Sequence, residues 1–199
     1  MIHKPNFHVF TGGGGTGKTT LLAHLQARGE RVVAENIRTV IREQAAQGGR
    51  AVPWIDPKAC CDLTTARDIA DFDRLASETA RVFFDRGLMD MHGANGVAPS
   101  PALVEAIRTR RYNREVFVFP PWREIYATDA ERREDWSAME AVFERILRTL
   151  PTLGYEPVVV PVGTVEARAA FVLARAGPQV STNAFSSTKS PGCAIDPST

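Results

Sequence analysis

The residues Gly12-Gly13-Gly14-Gly15-Thr16-Gly17-Lys18-Thr19 satisfy the spacing G-x-x-x-x-G-K-[ST] of a phosphate-binding loop, the P-loop. The spacing demands Gly12, Gly17, Lys18 and Thr19; Gly13, Gly14 and Gly15 exceed it. Glycines let the backbone take φ > 0 and turn its N–H groups inward, which makes a concave anion site. A helix opening near Lys18 adds its free N–H groups and the positive end of its dipole. Lys18 then supplies a mobile cation for β- and γ-phosphates, and the Thr19 hydroxyl is placed to ligate Mg²⁺. The predicted nucleotide-binding run therefore extends from Gly12 to Thr20. A second piece lies downstream: Asp85 follows the apolar run Val82-Phe83-Phe84 directly. A carboxylate just beyond a buried strand is the Walker B arrangement, close to the metal at the carboxyl edge of a sheet. Asp85 also reads as a turn residue or helix cap before Gly87.

The elements that must position these groups follow from the flanking sequence. Phe7-His8-Val9-Phe10 reads as a strand leading into the loop. Leu21, Leu22 and Leu25 recur at helical spacing up to Gly29, a C′ glycine, and Arg31-Val32-Val33-Ala34 reads as a second strand. This is a strand–loop–helix–strand unit of about thirty residues, the length of a βαβ crossover. A helix is predicted from Ile37 to Gln47, stopped by Gly48-Gly49. Asp56-Pro57 starts another, running to about Leu75 with Leu63, Ala66, Ile69 and Ala70 on its apolar stripe. Arg81-Val82-Phe83-Phe84 is the third strand, apolar enough to be central. Met89 to Ser100 reads as loop, then a helix from about Pro101 to Arg110 with Leu103, Val104 and Ile107 inward. Its basic cluster, Arg108, Arg110, Arg111 and Arg114, reads as a solvated helix end rather than a binding patch. Glu115 to Phe119 is the fourth strand, stopped by Pro120-Pro121, and Tyr155 to Val160 the fifth. Between them an amphipathic helix runs through Met139 and Ile146 to about Leu150. Thr164 caps a final helix. The domain is expected over residues 1–177, with 178–199, rich in Ser, Thr, Pro, Gly and Asn, as a disordered tail.

Composition narrows the function. Of 199 residues, 24 are Lys or Arg and 23 Asp or Glu, a net charge of +1. Such a balance gives no electrostatic footprint for nucleic acid or an acidic membrane. No apolar run approaches the roughly 20 residues that span a bilayer, and the first strand begins too early to leave room for a signal peptide, so a cytoplasmic protein is expected. Cys60 and Cys61 are adjacent and Cys193 is remote, a poor set for clasping zinc; they read as small residues on a helix. No Asn-Lys-x-Asp base-reading motif for guanine is present, which favours ATP.

Several segments together carry a resemblance: Val9 through Thr20, Arg31-Val32-Val33-Ala34-Glu35, Phe83-Phe84-Asp85-Arg86-Gly87, Arg111-Tyr112-Asn113-Arg114 and Pro120-Pro121-Trp122-Arg123-Glu124-Ile125-Tyr126. From about Ile2 to Ala176 the chain resembles a family of small single-domain bacterial P-loop proteins, the AAA-domain or predicted ATP-binding group. That family is similar to nicotinamide riboside kinase-like and deoxynucleoside kinase-like enzymes. The resemblance implies an α/β, three-layer P-loop NTPase of nucleotide-kinase type, with a five-stranded parallel sheet ordered 2-3-1-4-5. It implies ATP and Mg²⁺ as cofactors and a small-molecule acceptor. It also gives two residues roles: Glu35, ending the second strand, as the carboxylate that takes a proton from the acceptor hydroxyl, and Arg86 as an arginine near substrate or phosphate. By analogy with P-loop kinases, the charged stretch at about residues 122–136 is a helical lid, whose Arg132 and Arg133 would close over the transferring phosphoryl group. The leading expectation is an ATP-dependent phosphotransferase with Lys18, Glu35, Asp85, Arg132 and Arg133 as its catalytic set. The alternative is an ATP-hydrolysing switch, which needs only a water where a kinase needs an acceptor.

Overall fold

The computed structural model describes residues 1–125 and 136–178. In chain order its strands and helices are β1 (Ile2–His3), β2 (Phe7–Gly12), α1 (Lys18–Ala27), β3 (Arg31–Val33), α2 (Asn36–Gln47), α3 (Pro57–Arg74) and β4 (Val82–Asp85). They continue with α4 (Pro101–Thr109), β5 (Arg110–Arg111), β6 (Glu115–Phe119), α5 (Trp136–Thr152), β7 (Glu156–Val159) and α6 (Val165–Ala176). Five strands form one parallel sheet in the order β3-β4-β2-β6-β7. Counted along the chain this is 2-3-1-4-5, the order expected. The sheet reverses direction of growth between β4 and β6, on either side of β2. Ligands of open α/β sheets bind at that switch point, beyond the carboxyl ends of the strands, and β2 ends there in Gly12.

The two sheet faces follow from strand alternation. Phe10, Phe83, Phe117 and Phe119 point to one face and pack with Leu21, Leu22 and Leu25 of α1 and Ala169 and Val172 of α6. Phe7, Val9, Val82, Phe84, Val116 and Val118 point to the other, under α3, α4 and α5. Phe10 lies 4.9–5.6 Å by ring centroid from Phe83, Phe117 and Phe119. Aromatic pairs of this kind contribute about 0.5–1.5 kcal/mol each beyond their buried area, so the strand leading into the glycine run is held firmly.

Four local expectations are corrected. On α3 the buried residues are Cys60, Cys61, Thr64, Thr65, Asp68 and Phe72, while Leu63 is 42% exposed. Phe72 sets this rotation by stacking edge-on against Phe7 at 5.3 Å and Tyr112 at 5.0 Å, and Asp68 is tied to Asn36 Nδ2 at 2.9 Å. On α4 the inward residues are Leu103, Ala106 and Ile107, and Val104 is exposed. The stretch read as loop between Met89 and Ser100 contains 3₁₀ turns over Leu88–Met91 and Ala94–Gly96. The basic cluster is only partly a solvated helix end. Arg110 and Arg111 form β5, paired with β1. Arg110 bonds Asp73 in a fork, and Arg111 sits 4.1 Å over the Tyr155 ring and donates to Leu153 O at 2.9 Å. At the amino end of β4, Arg81 is buried, bonded to both carboxylate oxygens of Glu30 and to the Gly177 carbonyl. Among the described residues no helix is long and apolar enough to cross a membrane.

Candidate active site

The glycine run turns from β2 into α1 as the phosphate motif requires. Gly12 has φ 135°, and a Cβ there would stand 2.5 Å from the Phe119 carbonyl oxygen; Gly17, at φ 78°, precedes the first residue of α1. Both positions need a residue without a side chain. Lys18 folds back across the loop, its Nζ donating to Gly12 O at 3.0 Å and Gly13 O at 2.6 Å. Burial, then the charge of Arg86, pulls its pKa down from 10.5 to about 8, against the opposing pull of Asp85, Glu35 and Asp90. The ammonium thus rests on carbonyls that a phosphate would replace with far stronger charge-assisted bonds.

Asp85 stands at the end of β4 beside the loop. Thr19 Oγ1 donates to its Oδ2 at 3.3 Å, and its Oδ1 is buried without a partner. Burial raises the Asp85 pKa. A buried carboxylate oxygen left bare beside the P-loop hydroxyl is a hard-oxygen set of the kind Mg²⁺ takes, so these residues fit the metal.

The next residue is the least ordinary in the backbone. Arg86 has φ 70°, in the left-handed region that costs a non-glycine about 1–2 kcal/mol. Its N–H continues the sheet ladder to Phe10 O at 2.9 Å, and its guanidinium, largely buried, bridges two carboxylates. Nε donates to Glu35 and Nη1 to Asp90, the latter at 3.1 Å. Nη2 has no partner among the described residues. Asp90 also accepts from the Thr11 hydroxyl and from Gly87 N–H at 3.0 Å, so it ties the end of β2, the turn after β4 and Arg86 together. Glu35 precedes α2 and accepts a second bond from Arg38 Nε at 2.6 Å. Burial alone would raise its pKa; Arg86 first, with Lys18 and Arg38, overrides that and holds it at about 2.

Two cavities open on this cluster. One, of about 400 Å³, runs from the glycine loop past Trp122 and Ile125 to Thr164 and Arg168; the other, of about 470 Å³, lies between Ile37, the 3₁₀ turns at Met91 and Asn95, and Val142 and Arg145 of α5. They share Gly14, Glu35 and Arg86. The first gathers Gly14 through Thr20 on one wall. Arg132 and Arg133 lie outside the described residues.

Three residues here were not found by sequence reasoning. Asp90 fell in a stretch read as loop. Arg145 sat among the polar positions of an amphipathic helix. Arg168 is 5% exposed, donates from Nη2 to Thr16 O at 2.8 Å and lies 4.9 Å from the Phe119 ring and 5.6 Å from Trp122. Its signal was a charge on the buried stripe of α6, between Val165 and Ala169 and Val172.

A family profile described as AAA domain matches residues 7–168. No curated protein matches the chain. Among solved structures, deoxyadenosine kinase from M. mycoides is similar with a TM-score of 0.60 at 12% identity, over 85% of this chain and 97% of that one. NadR in complex with NR gives 0.63 at 16% identity, over 92% of this chain and 54% of that one. NadR in complex with NAD and AMP-PNP gives 0.57 at 16% identity, over 92% and 52%. The chain thus spans about half of NadR, and at these identities the likeness is one of fold. With its glycine loop, its sheet order and most of its length inside the profile, the chain belongs to the AAA domain family of P-loop nucleotide-binding proteins, in the fold of small-molecule kinases.

Proposed function

We propose that the protein is an ATP-dependent kinase acting on a small hydroxyl-bearing molecule. The observation that carries this reading is the meeting of two cavities at Glu35 and Arg86, one of them walled by the phosphate loop. A hydrolytic switch needs no second cavity of about 470 Å³, a size within the range of small-molecule sites.

In this reading the amides of Gly13 to Thr19 and the Lys18 ammonium hold the β- and γ-phosphates of ATP. Thr19 and Asp85 would hold Mg²⁺, which when bound would offset phosphate charge. The acceptor hydroxyl enters from the second cavity, its oxygen bonds the γ-phosphorus, and the bond to the ADP oxygen breaks. Glu35 takes the hydroxyl proton. A carboxyl held at about 2 is a weak base, so Arg86 must first turn toward the transferring phosphoryl group. That movement does two things together: it places the guanidinium on the developing charge and releases Glu35 to a higher pKa. An arginine in this role is worth about 10³-fold or more in rate. Arg132 and Arg133 are further cations for the same group. The fold likeness to deoxyadenosine kinase and to NadR, which was seen with AMP-PNP, supports a nucleoside-like acceptor as the first class to try.

The test is ADP release from ATP across a panel of nucleosides, nicotinamide riboside, sugars and amino-sugar antibiotics, alongside calorimetric ATP binding. Lys18→Ala is expected to abolish ATP binding, and Glu35→Gln to keep it while losing transfer. Unchanged ATP affinity in Lys18→Ala would sink the phosphate assignment. ATP hydrolysis that no acceptor stimulates and that Glu35→Gln leaves untouched would sink the kinase.

A further inference from the structure

We infer that the second cavity takes an acceptor carrying an anionic group, a phosphate or a carboxylate, and that Arg145 of α5 holds it. This rests on the kinase reading above. The two carboxylates lining that cavity, Glu35 and Asp90, are already engaged by cations or N–H donors. They therefore attract no cationic ligand. Arg145 is the opposite case. It lines the same cavity, donates only to the His92 carbonyl at 3.3 Å, and has no carboxylate partner among the described residues. A guanidinium facing a cavity with one long bond to a neutral oxygen has its bidentate fork available for a phosphate or carboxylate.

Position separates this group from the reacting one. Met139, near the start of α5, packs on the glycine loop: a Cβ at Gly13 would lie 2.1 Å from its Cε. Arg145 is six residues further along α5, ~9 Å at 1.5 Å per residue. The lining also carries the apolar side chains of Ile37, Met91, Ala94 and Val142, with Asn95 among them. The cavity thus matches a molecule with a hydroxyl at the Glu35 end, an apolar or planar body, and an anion at the Arg145 end.

Matched pairs test this: thymidine against thymidine 3′-monophosphate, and glucose against glucuronate. Each is titrated calorimetrically with AMP-PNP in place, then assayed for ADP release with ATP and Mg²⁺. The anionic member of at least one pair is expected to bind about 10- to 100-fold more tightly than its neutral partner, and which pair responds tells phosphate from carboxylate. Arg145→Gln should collapse that ratio through Kd and KM rather than kcat, and Arg145→Lys should restore part of it. Arg148→Gln, on the exposed face of the same helix, should keep it. Equal or better binding of both neutral members overturns the inference, as does a ratio that survives Arg145→Gln, or no binding of any probe at millimolar concentration. Arg145-dependent anion binding without acceptor-stimulated ADP release supports the anion site and overturns the kinase reading instead.

Discussion

Removing the Arg86 guanidinium should strip out the acid-sensitive stability that Glu35 contributes. In the intact protein the Glu35 pKa is held at about 2 against an ordinary value of 4.5. At 1.36 kcal/mol per pH unit this contributes about 3 kcal/mol of stability. The sign follows from proton counts. The folded pKa is depressed, so the unfolded chain binds more protons, and the contribution is full above pH 4.5 and is lost as pH falls toward 2. In Arg86→Ala, Glu35 keeps its burial, with its side chain 10% exposed, but of the cations that depress its pKa only Lys18 and Arg38 remain. Burial then opposes less cationic charge, so the variant's Glu35 pKa moves back up and most of that contribution is gone. The gap between the two proteins should therefore widen as pH rises from about 2 to 4.5 and reach about 3 kcal/mol at neutral pH. Urea unfolding followed by tryptophan fluorescence at several pH values measures it, and groups unchanged by the substitution cancel in the difference. Arg86→Gly adds a second arm. It removes the same guanidinium but accepts the left-handed backbone, so it should be ~1 kcal/mol more stable than Arg86→Ala. A pH-independent gap, or glycine no better than alanine, would refute the reasoning.

Two further outcomes are expected. Gly12→Ala should destabilise by more than ~2 kcal/mol, since φ is 135° and the Cβ meets the Phe119 backbone oxygen at 2.5 Å. Gly13→Ala should cost much less, because its clash is with the swinging end of Met139; thermal melts of the two variants compare them. Burial, with Arg81 adding to it, lowers the His8 pKa from 6.5 to about 4. The unfolded chain then binds the extra proton first, so acid should remove on the order of 3 kcal/mol between pH 6.5 and pH 4. His8→Leu should lack that arm in urea titrations.

The phosphate loop and the run from Asp85 to Gly87 were legible because each is written in consecutive residues with a local physical cause, whereas the strand order came only with the family resemblance. So were the starts of α3 and α6, where Asp56 and Thr164 each accept from the backbone N–H three residues on. What was not legible depends on contacts across the chain. The rotation of α3 is set by Phe72 against Phe7 and Tyr112, and no stripe of apolar residues announces that Thr64, Thr65 and Asp68 face inward. Asp90 acquires its place from Thr11, and Arg168 from Thr16, partners 79 and 152 residues away. The two-residue strands β1 and β5 are too short to carry any period.

The buried bond from Arg81 to the Gly177 carbonyl fixes where the backbone leaves the described body. Arg81 stands at the amino end of β4 and Asp85 at its carboxyl end, ~13 Å apart at 3.3 Å per residue. Gly177 therefore lies at the amino edge of the strands, opposite the carboxyl edge that carries the nucleotide cleft. A protein tethered or labelled at Pro178 would be held at that far edge, with the cleft turned toward solvent. Single-molecule or surface-based assays of nucleotide and acceptor binding can be oriented by that end.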